Sequence, residues 1–168
     1  GQVEEAAGWF ERSLRLRRAG GDRLGEAMDR ANLANLALAR RQQAEALAHQ
    51  QAALAGYRET GDARGEAQIT GDLGLSLQGL GQAADAERHY RTALSLHRRA
   101  GNRRFEGIVS SNLGSLLLEA GRLDEAEQVV RGALALHRQV HNRRSEGIAG
   151  EVLAKVLAAA GRRDEAVA

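Results

Sequence analysis

Residues 112–134 read NLGSLLLEAGRLDEAEQVVRGAL, and residues 72–94, 40 positions earlier, read DLGLSLQGLGQAADAERHYRTAL. The two stretches place small, apolar and acidic residues at the same positions without a gap. The period extends further along the chain, because residues 81–120 and 121–160 are identical at 18 of 40 positions. Self-similarity at a fixed spacing predicts a repeat protein, in which each unit packs mainly on its neighbours.

Each 40-residue period predicts two helices that are separated by a turn. In the period that begins at residue 101, one apolar stripe has the three- and four-residue spacing of a helix face. Gly121 ends this helix, since glycine readily adopts positive φ. The first stripe comprises Val109, Leu113, Leu117 and Ala120, and the second comprises Ala126, Val130, Ala133, Leu134 and Leu136. One such pair cannot bury its apolar face alone, so we expect an all-α fold of stacked antiparallel helix pairs, the α-α superhelix.

The turns between helices recur as two series with the same 40-residue spacing. One series comprises Gly1, Gly81, Gly121 and Gly161, with Arg41 in the missing place, and the other comprises Gly21-Asp22, Gly61-Asp62, Gly101-Asn102 and His141-Asn142. Gly74 and Gly114 fall within helices, where glycine costs about 1 kcal/mol relative to alanine. We therefore expect them to mark close helix crossings. The predicted boundaries are the second helix of a partial repeat at 1–20, repeats at 21–60, 61–100 and 101–140, and a partial repeat at 141–168.

Composition and charge exclude several classes of protein. The 168 residues include no cysteine and no proline, 20 glycines and only 3% aromatic residues, which excludes disulfide scaffolds and argues against β-sandwiches and barrels. The net charge is +2 with both signs interspersed, so no basic run predicts nucleic-acid contact. No apolar stretch is long enough for a membrane span. We expect a cytoplasmic segment of a longer array, and 23 arginines against one lysine, Lys155, favour a GC-rich bacterial origin.

The chain resembles the tetratricopeptide repeat (TPR) family in a 40-residue variant. The residues that carry the resemblance are Asn112-Leu113-Gly114, Leu117, Gly121, Glu125-Ala126, Val130 and Ala133-Leu134, with counterparts in the other periods. Ser110 departs from the pattern, because the family usually has a large residue there, and the closing proline is absent. The resemblance implies that the first helix of each pair lines a concave groove that holds a peptide or partner segment, and that Asn32 and Asn112 hold ligand main chain.

Helical spacing independently places one stripe on each first helix, clear of the apolar stripe. The candidate groove residues are Asn32, Asn35, Arg64, Gln68, Asp72, Arg104, Ile108, Asn112, Ser115, Arg144, Ile148 and Lys155. Asparagine can donate and accept hydrogen bonds at once, which suits a peptide backbone. A row of Arg64, Arg104 and Arg144 would attract carboxylates; the alternative is that these arginines pair with Glu66, Glu106 or other surface acids. The charge of Asp72 interrupts the polar row.

The sequence provides no pattern for catalysis, a metal or a cofactor. Its five histidines lack the HExxH spacing; His97 and His137 are expected to be solvated at helix C-termini, where a cation interacts well with the helix dipole. The segment 79–84 matches GxGxxA but follows a helix rather than a strand, which fails the requirement for dinucleotide binding. Ser110, Ser111 and Ser115 have no histidine partner that the helix pattern would supply.

The predicted function is a non-enzymatic scaffold that binds a protein or peptide. The junction pattern resembles C-terminal TPR arrays of bacterial signal-transduction ATPases and antibiotic-regulatory transcription factors, known as STAND and SARP types. This resemblance implies a sensor or regulatory arm. The alternatives are a structural spacer or oligomerisation module, for which the adjacent Trp9 and Phe10 at an uncapped end could serve self-association, and a eukaryotic adaptor of the Pins type.

Overall fold

The computed structural model describes residues 2–166, and that range contains nine α-helices and no strand. The helices are α1 (Gln2–Gly20), α2 (Arg23–Ala39), α3 (Gln43–Thr60), α4 (Ala63–Gly79), α5 (Ala83–Arg99), α6 (Arg103–Glu119), α7 (Leu123–Gln139), α8 (Arg143–Ala159) and α9 (Arg163–Ala166). Two or three residues connect one helix to the next, so within each unit the chain reverses direction between successive helices that pack together. The all-α prediction is confirmed.

The chain divides into two compact units, Gly1–Gln82 and Ala83–Ala168. In the first unit α2 packs against α1 and α3, and α3 packs against α4. In the second unit α6 packs against α5 and α7, while α8 packs against α6, α7 and α9. In each 40-residue period the first helix is α2, α4, α6 or α8, and the second helix is α1, α3, α5 or α7.

An aspartate or asparagine caps the start of each first helix, and it follows a glycine before α2, α4 and α6 and His141 before α8. Asp22 and Asp62 are N-cap residues, and an Oδ1 atom of each accepts a hydrogen bond from a backbone N–H in the first turn, at 2.8 Å from Gly25 and 3.1 Å from Gly65. Asn102 and Asn142 cap α6 and α8 in the same way. Each side chain satisfies a donor that the helix itself leaves unpaired, which explains why the junction residues recur with the period.

Positive φ at the turns accounts for the glycine series. Glycines at six turn positions have φ between +65° and +78°, and these are Gly21, Gly61, Gly81, Gly101, Gly121 and Gly161. Arg41 and His141 occupy the same kind of turn with φ of 60° and 53°. A side chain makes this left-handed conformation cost about 1–2 kcal/mol, so the two positions where the sequence lacks glycine retain the turn at the expense of stability.

We expect His141→Gly to stabilise the protein by about 1 kcal/mol, because glycine removes the penalty for positive φ at this exposed turn. Urea unfolding followed by circular dichroism measures the change. Gly121→Ala is the reciprocal control, since it introduces a Cβ at a φ of +72° and is expected to lower stability by a similar amount. A destabilising effect of His141→Gly would show that the histidine side chain itself supports the turn.

Leucine, valine and alanine form the core of both units, as the helical stripes predict. In the first unit one cluster comprises Ala27, Ala53, Leu54, Tyr57, Ile69 and Leu73; in the second unit Val109, Leu113, Leu117, Ala126, Val130, Ala133 and Leu134 are buried. Leu136 is half-buried, and the prediction for Ala120 is wrong, because this residue is the exposed C-cap of α6.

Gly114 marks a close helix crossing, as predicted. A Cβ at this position would overlap the Val130 side chain of α7, so only glycine lets the two helices approach to this distance. Gly74, the equivalent residue of the first unit, is buried.

The fully buried Ala126 faces the partner helix, whereas Ala135 on the same helix is exposed. We therefore expect Ala126→Leu to overpack the core and lower stability by about 1–3 kcal/mol, and Ala135→Leu to change it by less than about 0.5 kcal/mol. The two midpoints of thermal unfolding provide the comparison. Equal shifts would contradict the packing register described above.

Candidate functional site

Four of the predicted groove residues meet in the first unit. Asn32 and Asn35 on α2 and Gln68 and Asp72 on α4 line a cleft of about 130 Å³. This amide cleft is completed by Met28, Ala31, Tyr57, Gly65 and Ile69. Three carboxamides and one carboxylate therefore surround a small space whose remaining wall is largely apolar, an arrangement that suits a short polar segment of a ligand.

Two features of α3 hold the wall of the amide cleft in place. The amide nitrogen of the fully buried Gln50 donates a hydrogen bond of 3.4 Å to the backbone carbonyl of Asp72. The ring of Tyr57 lies against Gly65, where a Cβ would overlap the ring. Gly65 therefore brings the aromatic wall close to α4, and Gln50 fixes the backbone of the residue that carries the carboxylate.

Burial dominates the electrostatics of the amide cleft. It raises the pKa of Asp72 from 3.8 to about 6, since a carboxylate loses hydration when it is enclosed. Burial also raises the pKa of Tyr57, and the charges of Asp62 and Asp72 add to that rise. Among the residues that the structure describes, no cation pairs with the Asp72 carboxylate. The cleft therefore holds an uncompensated negative charge at neutral pH.

The predicted residues of the second unit lie on α6 and α8. Ile108, Asn112 and Ser115 are half-buried on α6, whereas Arg104 is exposed at its start. On α8, Arg144, Ile148 and Lys155 are exposed, and Lys155 donates to Glu151 at 2.7 Å. The predicted row that joins Arg64 of the first unit to Arg104 and Arg144 of the second unit stays a prediction.

The glutamates that the sequence offered as partners for this arginine row are bound by other arginines. Four ion pairs recur with the 40-residue period, each between an arginine in the last turn of a second helix and a glutamate in the first turn of the next first helix. The pairs are Arg18–Glu26 at 2.7 Å, and Arg58–Glu66, Arg98–Glu106 and Arg138–Glu146 at 2.8 Å. Within residues 2–166, no ion pair engages Arg64, Arg104 or Arg144, which leaves their guanidinium groups available to a ligand.

Sequence reasoning missed these arginine–glutamate pairs, although both partners recur at the same spacing. Burial raises the pKa of Glu106, and hydrogen bonds from Arg98 and Arg103 more than offset that rise, so the pKa is lower than usual. The Arg98–Glu106 pair therefore stays charged at neutral pH, and the four pairs link each second helix to the following first helix.

The prediction that His97 and His137 are solvated is wrong. His97 is 2% exposed and stacks on Phe105 with ring centroids 5.5 Å apart, and His137 is fully buried. Burial lowers the pKa of both imidazoles, so both are neutral at physiological pH. Their place in the period is that of Tyr57, which is the signal that they belong to the core.

The prediction that Ser111 lacks a histidine partner is also wrong. Its hydroxyl donates to the carbonyl of Gly107 at 3.1 Å and lies 3.2 Å from Nε2 of His137. In the described part of the chain, Nδ1 of His137 has no hydrogen-bond partner, whereas a catalytic triad requires a third group there. Both residues are buried, and the pair therefore links α6 to α7 rather than facing a substrate.

Residues 2–166 contain neither a metal-ligand cluster nor a helix suited to a membrane. No three histidine, aspartate or glutamate side chains in this range are grouped as metal ligands. None of its helices combines the length and the apolar character that a membrane span needs.

Comparison with known proteins identifies the repeat. Residues 65–139 match the tetratricopeptide repeat family, and no curated protein matches the sequence. The fold is similar to that of BtubC from P. vanneervenii, with a TM-score of 0.79 and 19% identity over 99% of this chain and 87% of that one. It is also similar to a kinesin light chain-like protein of Podosopora anserina with nearly identical TPR-like repeats, with a TM-score of 0.79 and 18% identity over 99% and 83% of the two chains.

A third similar structure is a Rap conjugation gene regulator of the plasmid pLS20, which was solved in complex with the Phr* peptide. It has a TM-score of 0.73 and 16% identity, and the match covers 92% of this chain and 48% of that one. Likeness at this level of identity concerns the fold. The chain is therefore an all-α repeat protein with the TPR fold, in which residues 65–139 match the tetratricopeptide repeat family itself.

Proposed function

We propose that this chain is a protein-interaction module that binds an extended peptide segment along its first helices. The observation that carries the proposal is the amide cleft, which gathers Asn32, Asn35, Gln68 and Asp72 from two first helices. Carboxamides can donate to and accept from the main chain of an extended ligand without regard to its side chains. The similarity to a regulator that was solved with a peptide bound supports this choice.

The arginines would add selectivity for acidic residues. Arg64, Arg104 and Arg144 are exposed, and the neighbouring glutamates that could neutralise them are bound by other arginines. A guanidinium group binds a carboxylate through two parallel hydrogen bonds. We therefore propose a ligand whose backbone is held by the amide side chains and whose acidic side chains reach these arginines.

We further propose that the module is the sensor or regulatory arm of a larger bacterial signalling or transcriptional regulator in the cytoplasm, with no catalytic activity and no nucleic-acid contact of its own. The interspersed charge of the chain supports the absence of nucleic-acid contact. The competing function is a structural spacer or a self-association module. The exposed Trp9, 61% accessible on α1, favours that second function, and sedimentation at several protein concentrations separates the two.

We expect Arg104→Ala combined with Asn112→Ala to weaken binding of peptides selected from a displayed random library by about 2 kcal/mol or more, because one charged and one amide contact are lost. Fluorescence polarisation of the labelled peptides measures the affinity, and circular dichroism checks that helicity is unchanged.

The matched control removes one arginine and one amide from second helices, at Arg88 of α5 and Gln51 of α3, both of which are exposed. Arg88→Ala combined with Gln51→Ala should retain the affinity of the unmodified chain. Equal loss in both double variants, or in neither, would count against the first helices as the binding surface.

A further inference from the structure

Each unit has a groove beside a glutamate in the first turn of a first helix, and the two grooves share part of their lining. In the second unit a groove of about 670 Å³ is lined by residues of α5, α6 and α7, including Glu106 and Ser110. In the first unit a groove of about 220 Å³ is lined by Glu26 and Arg30, which stand 80 positions earlier in the sequence. Six lining positions coincide between the two grooves. The grooves therefore share repeat-equivalent positions on two helices, and the groove of the second unit also extends along α5.

The arginine at position 30 fills part of the groove of the first unit. Its side chain is only 19% exposed and lines the groove of the first unit, whereas Ser110 contributes a single hydroxyl in the second unit. The other differences are smaller or act in the opposite direction, since Gly132 replaces Ala52 and Leu136 replaces Gly56. The space that is open beside Ser110 thus corresponds to an arginine side chain.

The glutamates of the two grooves differ by one arginine donor. Oε1 of Glu26 accepts from Nε of Arg18 at 2.7 Å and from Nε of Arg30 at 3.4 Å, and Arg23 donates to Oε2 at 3.3 Å. At Glu106 the equivalents of the first and third donors are present, Arg98 at 2.8 Å and Arg103 at 2.9 Å. The equivalent of Arg30 is absent, because that position is Ser110.

We propose that the groove of the second unit binds the guanidinium group of an arginine side chain from a protein partner, in the place that Arg30 fills in the first unit. The guanidinium donates to Oε1 of Glu106, and the aliphatic stem of the arginine packs against Leu94 and Leu136. This site lies on second helices and α6 and does not depend on the peptide-binding function proposed above.

The other charged groups of the groove allow a cation to enter. Arg98 is already neutralised by Glu106, and Arg91 is held by Glu87, with Nη2 at 2.7 Å from the carboxylate, and by Glu125 at 3.6 Å. Arg91 lies seven residues before Arg98, about 10 Å along the helix. This distance is comparable to the Debye length at physiological ionic strength, so the charge of Arg91 is largely screened at Arg98. Glu106 precedes Ser110 by one turn of α6, and its carboxylate lines the groove together with Arg98.

The test is a titration of the full chain, labelled with ¹⁵N, with the peptide acetyl-Ala-Arg-Ala-amide. We expect chemical-shift changes at the amides of Gly132 and Leu136, and binding about tenfold weaker for the peptide with the neutral isostere citrulline, since the charged hydrogen bond is lost. Ser110→Arg should abolish the changes because the chain then fills its own groove, and Ser110→Ala should keep them because the space remains.

The reverse variant provides an independent readout. Arg30→Ser opens the groove of the first unit beside Glu26, and we expect a second binding site, seen as new shift changes at Ala52 and Ala55 and a doubled stoichiometry. Three results would overturn the proposal: no response of the unmodified chain to the arginine peptide, an equal response to the citrulline peptide, or an undiminished response in Ser110→Arg. Because these three comparisons do not use Arg30→Ser, a folding defect of that variant leaves the test decisive.

Discussion

Leu113→Ala is expected to lower the free energy of unfolding by about 2–5 kcal/mol, the range for truncating a fully buried leucine. Leu113 is 1% exposed on α6, next to Gly114, whose lack of a side chain lets α6 and α7 approach closely. Two helices at this distance can collapse little further, so a cavity left by the missing methyl groups should persist. Urea unfolding followed by circular dichroism measures the loss.

The control for this prediction is Leu16→Ala, which makes the same chemical change at a position that is 69% exposed. We expect it to alter stability by less than about 0.5 kcal/mol. An equal loss of unfolding free energy in both variants would contradict the prediction from the 40-residue pattern that Leu113 is a core residue.

Asp72→Asn is expected to stabilise the protein by about 2–3 kcal/mol at pH 7.5 and to leave its stability unchanged near pH 3.5. Burial raises the pKa of Asp72 in the folded protein to about 6, above the ordinary value of 3.8. The folded state therefore binds a proton more tightly than the unfolded state. The contribution of Asp72 to stability is therefore most favourable below about pH 4, falls as the pH rises to about 6, and is constant above that.

Asparagine keeps the shape of the side chain without the charge, so the difference between Asp72→Asn and the unmodified chain should grow between pH 4 and pH 6. Tyr57 is the other titratable side chain that lines the cleft, and because its pKa is raised it does not titrate in this interval. Thermal unfolding at several pH values measures the effect. The control, Asp124→Asn on the exposed start of α7, removes a carboxylate that is not buried and should not stabilise the protein as Asp72→Asn does. A difference between Asp72→Asn and the unmodified chain that does not vary with pH would refute the burial of the charge.

Much of the fold could be predicted from the sequence, because each turn depends on local chemistry. Glycine at positive φ and an aspartate or asparagine N-cap determine the backbone of only a few neighbouring residues. Their 40-residue period can be read directly from the sequence. The sequence also shows that Arg41 and His141 stand where the period has glycine. It does not show that both residues keep positive φ, because this depends on the packing of the helices on either side. The burial of His97 and His137 was not predicted, because histidine can carry a charge and was therefore assigned to the solvent-exposed surface. Tyr57 at the same place in the period indicated a core position.

The candidate site was predicted only in part. Helical spacing was enough to place Asn32, Asn35, Gln68 and Asp72 on one side of their helices, and the structure brings these four together. The raised pKa of Asp72 could not be predicted, because it depends on burial in a cleft that is also lined by Tyr57 of another helix. The spacing of residues along one helix does not indicate such a contact. The arginine–glutamate pairs between successive helices were missed for the same reason.

The central claim is that the first helices form the ligand-binding surface, and hydrogen–deuterium exchange tests it most directly. The full chain would be compared with and without a selected library peptide that contains no arginine, so that the groove beside Ser110 is not engaged. We predict that the peptide slows exchange in α2, α4, α6 and α8, most strongly around Asn32, Asp72 and Asn112. Slowed exchange confined to α3, α5 and α7 would contradict the claim.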